Sequence, residues 1–198
     1  GLTHKKHKPT LERIISELEK LGYQVFKQVL NTKDYGVPQN RERLWIYARL
    51  NGELPIDWEI DPGKINIGKT RIKNFLDIKP DENLWLNDSQ INRLIEKHNV
   101  DLNVNEPLCL DIYNKKIKQD GMSITITEPH HNSLRIVYPP QDGRFRVRKL
   151  SKTEHYRLMG FPDGAIDFTG QSYQQICKRA GNGWDVNLVS RILKKVLK

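Results

Sequence analysis

With 198 residues the chain is long enough for one full domain, or for one and a half, with a core of its own. Its 33 Lys and Arg against 24 Asp and Glu leave a net charge of +9, which points toward a polyanionic partner such as nucleic acid without specifying one. No apolar run approaches bilayer length and the N-terminus lacks a signal-peptide core, while two cysteines, Cys109 and Cys177, are too few and too isolated for a disulfide framework or a zinc site. A cytoplasmic protein with reduced, structural thiols is expected.

Leu11, Ile14, Ile15, Leu18 and Leu21 fall at helical spacing after Pro9-Thr10, and Gly22 offers a stop, so the spacing predicts a helix over 10–21. YQVFKQVL (23–30) reads as a strand and RLWIYARL (43–50) as a second, apolar on both faces and therefore expected at the centre of a sheet. From 51 to 122 prolines and glycines interrupt short segments, with one helix near 89–98. SITIT (123–127) and LRIVY (134–138) read as short strands around the polar loop EPHHNS. GRFRVRKL (143–150) alternates strictly, so Arg144, Arg146 and Arg148 share one face and Phe145 and Val147 the other. Ser151 to Glu154 is a capping box opening a helix that Gly160 and Pro162 close, and Ser172 to Gln175 is a second such box. The last helix carries Val186, Val189, Ile192, Leu193 and Val196 on one stripe, with Lys194, Lys195 and Lys198 at its negative end.

The stretch DYGVPQNRER (34–43) sets donor-rich side chains at the mouth of a strand. At period two, Gln39, Arg41 and Arg43 line one face and Asn40 and Glu42 the other. Such a row suits a ligand of phosphates and carbonyl oxygens. The plainer alternative is that one arginine pairs with a carboxylate and fastens the strand.

DYGVPQNRER closely resembles the Gln-x-Arg-x-Arg motif of cytosine-5 DNA methyltransferases, and the helix and strand ahead of it are similar to theirs. RKLSKTEHYRLMGFPD (148–163) resembles the family's Arg-x-Leu-Thr/Ser block, AGNGWDVNLVSRIL (180–193) its final Gly-Asn motif, and MSITITEPHHNSLRI (122–136) its target-recognition loop. The resemblance implies the C-terminal part of a Rossmann-like, S-adenosylmethionine-dependent α/β domain plus a small β-rich recognition lobe. Residues 1–50 and 148–198 would belong to the catalytic domain and 51–147 to the lobe. It further implies that Arg43 reaches the O2 edge of a flipped-out cytosine and helps orient a catalytic glutamate, with Arg41 and Gln39 bracing that site. Asn182 and Gly183 would sit by the methionine end of the cofactor, although Gly183-Trp184 replaces the family's serine and leaves only a backbone amide there. Double-stranded DNA would be the partner, bringing the protein to the nucleoid, with no membrane or metal involved.

Three parts of the family's chemistry are not in this sequence: a Pro-Cys nucleophile that attacks carbon 6, a Glu-Asn-Val glutamate, and a Gly-rich cofactor loop. Cys109 follows leucine and reads as a structural thiol. The opening GLTHKKHK looks like the residues just after the Glu-Asn-Val motif. The expectation is therefore a fragment or split subunit, inactive alone, whose partner is the N-terminal half of the domain. Within the recognition region Thr125, Ile126, His130, His131, Asn132 and Arg135 are candidates for base-edge or phosphate contacts, and Arg144 and Arg146 for phosphate contacts. The bland reading of the first group is a solvent-facing loop. A non-catalytic specificity module that reuses the fold is the rival, and RNA is a third possible substrate.

Overall fold

The computed structural model describes residues 4–51, 59–61, 63, 70–128 and 133–197. Helix α1 (Lys8–Lys20) begins with Pro9 in its first turn, where a missing N–H costs nothing. Gly22 turns the chain in the left-handed region (φ +85°) into β1 (Tyr23–Asn31). A short 3-10 turn and left-handed Gly36 lead to β2 (Glu42–Leu50), which pairs antiparallel with β1 from Tyr23↔Leu50 to Asn31↔Glu42.

Helix α2 (Asp88–His98) starts at a capping box built by Asn87 and Gln90 and stops at left-handed Asn99. Strands β3 (Leu108–Asp111), β4 (Lys116–Ile117), β5 (Leu134–Gln141) and β6 (Arg144–Arg148) form a second antiparallel sheet in the order β4-β3-β5-β6. Helices α3 (Lys152–Arg157), α4 (Tyr173–Asn182) and α5 (Val186–Val196) follow, capped by Ser151, Ser172 and Asp185.

Alternation along the four-stranded sheet buries both of its faces. Leu108, Leu110, Val137 and Val147 pack with Ile91 and Leu94 of α2, while Cys109, Leu134 and Ile136 pack with Leu150, Leu158, Met159 and Ala180 from the α3–α4 side. A third cluster joins the β1–β2 hairpin to α5 through Leu30, Tyr35, Ile60, Leu188, Trp45 and Ile192.

The α/β class and the α2 to α5 helices follow the sequence reading, and three elements depart from it. Among the described residues β2 pairs with β1 alone, so it is one arm of a two-stranded hairpin and not a central strand. Residues 123–127 form no ladder: only Ser123 bridges to Gln39, because the backbone beyond it is held by side chains. Conversely, PLCLD supplies β3, buried at every position, from a segment whose interruptions hid it.

Candidate functional site

Gln39 and Arg41 are both buried and both spend their side chains on distant backbone. The Gln39 amide donates to the Leu158 carbonyl at 2.7 Å and its oxygen accepts from Ile126 N–H at 3.0 Å. Arg41 donates to the carbonyls of Ile126 (3.0 Å), Gly181 (3.1 Å) and Gly183 (3.0 Å). Two neighbouring positions of one strand mouth thus tie together the 122–127 segment, the end of α3 and the end of α4. With no carboxylate bonded to it, Arg41 feels burial first and then Arg43, and its pKa is pulled down to about 10.

Arg43 lies on the same face but is exposed, its guanidinium reaching only the adjacent Glu42 carbonyl at 2.6 Å. It is the one member of the row whose charge is not consumed by packing. Two residues on, Trp45 enters the hairpin–α5 core and meets Trp184 edge-to-face with ring centroids 5.8 Å apart. Trp184 is 67 % exposed.

Gly183 has both backbone groups occupied: its N–H donates to Ala180 O at 3.2 Å and its carbonyl accepts from Arg41. The free amide expected there is therefore not available. Asn182, exposed at the C-terminal end of α4, is the neighbouring group open to a ligand. A carboxamide at the negative end of a helix suits the ammonium of an amino-acid moiety, so the residues fit the methionine end of S-adenosylmethionine. Asp185 caps α5 by accepting from Leu188 N–H at 2.8 Å. Its other oxygen is buried with no hydrogen-bond partner among the described residues, and burial raises its pKa to about 6.

In the recognition region Thr125 donates its hydroxyl to the Asn40 carbonyl at 2.7 Å. Ile126 is 1 % exposed, with its N–H and carbonyl taken by Gln39 and Arg41. It anchors the segment to the core, which removes its side chain from contact with DNA. His130, His131 and Asn132 lie outside the described residues, as does Trp58. Arg135 is half-buried on β5 and donates to the Leu134 carbonyl at 2.7 Å.

The arginine stripe of β6 is divided by burial. Arg148 is fully buried, bidentate to Glu154 at 2.6 and 2.7 Å and bonded to the Tyr138 hydroxyl at 2.7 Å. Burial works against its charge, but Glu154 and Tyr138 outweigh that and raise its pKa. Glu154 also accepts from the N–H groups of Asp77 and Ser151, so this pair fastens β6, α3 and the 77 segment. Arg146 lies over the Trp85 ring at 4.7 Å, and Arg144 is exposed.

Sequence reasoning missed the β3–β4 turn. Tyr113 and Asn114 face Asn40, Thr125, Thr127 and Ser133 across an open groove of about 360 Å³. Asp111 fixes it, accepting from the Asn114 amide at 2.6 Å and the Ser133 hydroxyl at 3.1 Å. The Asp-x-x-Asn spacing was the available signal.

The family model for C-5 cytosine-specific DNA methylases matches residues 1–198, and the chain belongs to that family. It is 26 % identical over 208 residues to the type II methyltransferase M2.ScrFI of Lactococcus lactis subsp. cremoris, which accounts for 100 % of this chain and 52 % of that protein. It is 30 % identical over 192 residues to the type II methyltransferase M.HaeII of Haemophilus aegyptius, covering 92 % of this chain and 54 % of the relative. The chain therefore spans about half the length of these relatives. Its fold is similar to that of the Dnmt2 methyltransferase of S. pombe, with a TM-score of 0.67 at 21 % identity, over 98 % of this chain and 64 % of the other.

Proposed function

We propose that the chain is the C-terminal part of a DNA cytosine-5 methyltransferase that moves a methyl group from S-adenosylmethionine to carbon 5 of a cytosine flipped out of a specific duplex site. In this reading residues 1–50 and 148–198 complete the catalytic domain and 51–147 form the target-recognition lobe. The nucleophilic cysteine, the glutamate and the Gly-rich cofactor loop come from the other half of that domain. The observation that carries it is the division of labour at 39–43: Gln39 and Arg41 are spent on holding the segment together, while Arg43 stands exposed beside them.

An exposed guanidinium on a rigid strand is preorganised to donate to a carbonyl oxygen such as the pyrimidine O2, stabilising charge that builds on the ring during addition to carbon 6. The methyl donor supplies an electrophilic methyl when bound, and Asn182 would hold its amino-acid end. The groove between Thr125 and the β3–β4 turn offers amide and hydroxyl groups suited to base edges in the major groove. Arg144, Arg146 and the polar residues at 130–132 and 135 are assigned to flanking phosphates and bases.

The test uses the whole protein and measures 5-methylcytosine formation and thermal unfolding together. Arg43→Ala is expected to lower kcat by about 100-fold or more while leaving stability within about 0.5 kcal/mol, because the side chain is exposed. Turnover that survives the substitution would sink the assignment of Arg43. DNA binding with no methyl transfer in the wild type would favour a specificity module instead, and preferential methylation of structured RNA would move the substrate class.

A further inference from the structure

A cleft of about 520 Å³ opens where β6 hands over to α3, and it shares no lining residue with the recognition groove. Its position follows from the sheet edge: Leu86 N–H donates to the Val147 carbonyl and Lys149 N–H to the Leu84 carbonyl, so residues 84–86 run alongside β6. One wall is the 77–84 segment, the second is 149–153, and Phe168 and Tyr173 close the third side.

The charges of this cleft do not cancel. The Asp77 carboxylate is already satisfied by Arg157 at 2.6 Å and by the Ser151 hydroxyl. The Lys152 ammonium donates to an uncharged partner, the Gln171 carbonyl, at 2.7 Å. Lys79 and Lys149 are exposed and belong to no ion pair among the described residues. Three ammonium groups therefore face one uncommitted carboxylate, Asp81. Tyr173 spends its hydroxyl on the Leu150 carbonyl at 2.8 Å and offers its ring, while Phe168 is braced against Tyr156 with centroids 5.3 Å apart. Lysines at the rim and braced rings on one wall, in a volume within the usual range for ligand sites of about 300–1,000 Å³, suit a flat ring carrying a phosphate.

We infer that this cleft is a second nucleotide site, with phosphate held by Lys79, Lys149 and Lys152 and the base against Phe168 and Tyr173. Two sources share that chemistry: a nucleotide of a nucleic-acid strand lying beyond the methylated word, or a free nucleotide. The site goes beyond the methyl-transfer reading and does not depend on it.

The test compares the whole wild-type protein with the Lys79→Ala/Lys149→Ala double variant and with Phe168→Leu, after checking that all three melt alike. The probes are a duplex of about 40 base pairs, titrated across a range of salt, and deoxycytidine 5′-monophosphate alone. If a strand occupies the cleft, the double variant reduces the slope of log affinity against log salt by about 2, at about 0.9 per lost phosphate contact, and Phe168→Leu weakens binding without changing the slope. If a free nucleotide occupies it, the monophosphate binds the wild type saturably and the double variant loses at least about tenfold in affinity. Either pattern sustains the site and identifies its source. A duplex slope and affinity unchanged in both variants, with no saturable monophosphate binding, overturns it. Methylation does not enter these readouts, so a failure of the catalytic reading is seen separately.

Discussion

Asp185 sits where α5 needs an acceptor for its first turn, and the cost of that placement is a carboxyl whose second oxygen is buried without a partner. Its folded-state pKa of about 6 lies above the ordinary value of 3.8, because burial disfavours the charged form more than the backbone N–H groups and Arg41 favour it. A raised value means that the carboxyl's support for the folded chain is fully present below about pH 4 and is lost as pH rises through 6, a swing of about 2–3 kcal/mol. Asp185→Asn keeps an oxygen for Leu188 N–H, since asparagine caps as well as aspartate. The variant is therefore expected to be more stable than the wild type at pH 7 and to lose that advantage at pH 4. Urea unfolding of both proteins at the two pH values checks this, and a difference that does not vary with pH would refute it.

At the scale of elements, the connection between the recognition segment and the rest of the fold depends on one close approach. A Cβ added at Gly181 would fall 2.6 Å from the backbone carbon of Thr127 and 2.8 Å from Glu128 N, and neither backbone atom can move as a flexible side-chain end would. Gly181→Ala must push residues 126–128 off the end of α4 and stretch the Arg41 bonds to Ile126 and Gly181. Expected is a loss of about 2–4 kcal/mol, with amide exchange accelerated at 124–128 but not in α5. Uniform acceleration throughout the chain would mean that the contact fastens no particular segment. The same segment explains where sequence reading stopped. Helices α3 and α4 are legible because a capping box is local: Ser151 with Glu154 and Ser172 with Gln175 lie within one turn. The 123–127 segment has strand-like composition, but Gln39 and Arg41 supply the donors and acceptor that a neighbouring strand would have provided. Those partners stand more than eighty residues away, beyond any local pattern. The row Gln39, Arg41, Arg43 was legible as three side chains on one face, whereas which of them remained exposed depended on the packing of α4 and the 122–127 segment.

For the molecule as a whole, exposed apolar side chains are unevenly distributed. Among the described residues Ile14, Leu21, Val29, Leu50, Trp184, Leu193 and Leu197 stand exposed on or beside α1, the β1–β2 hairpin and α5, whereas the part built on the four-stranded sheet exposes only Ile78 and Tyr113. The sheet buries both of its faces, while the hairpin pairs with no third strand. A two-stranded hairpin is marginal by itself, and a concentration of large apolar side chains on one side of a domain marks a surface for further protein. The proposed occupant is the remaining half of the catalytic domain, in keeping with the chain's span of 52 % and 54 % of its two relatives. The chain expressed alone is then expected to self-associate through this side. Sedimentation velocity should give a weight-average mass that rises with concentration, and Leu193→Lys with Leu197→Lys should suppress that rise without unfolding the four-stranded sheet. A concentration-independent monomer of 23.2 kDa would leave the hairpin and α5 self-sufficient and remove the reason to look for their partner.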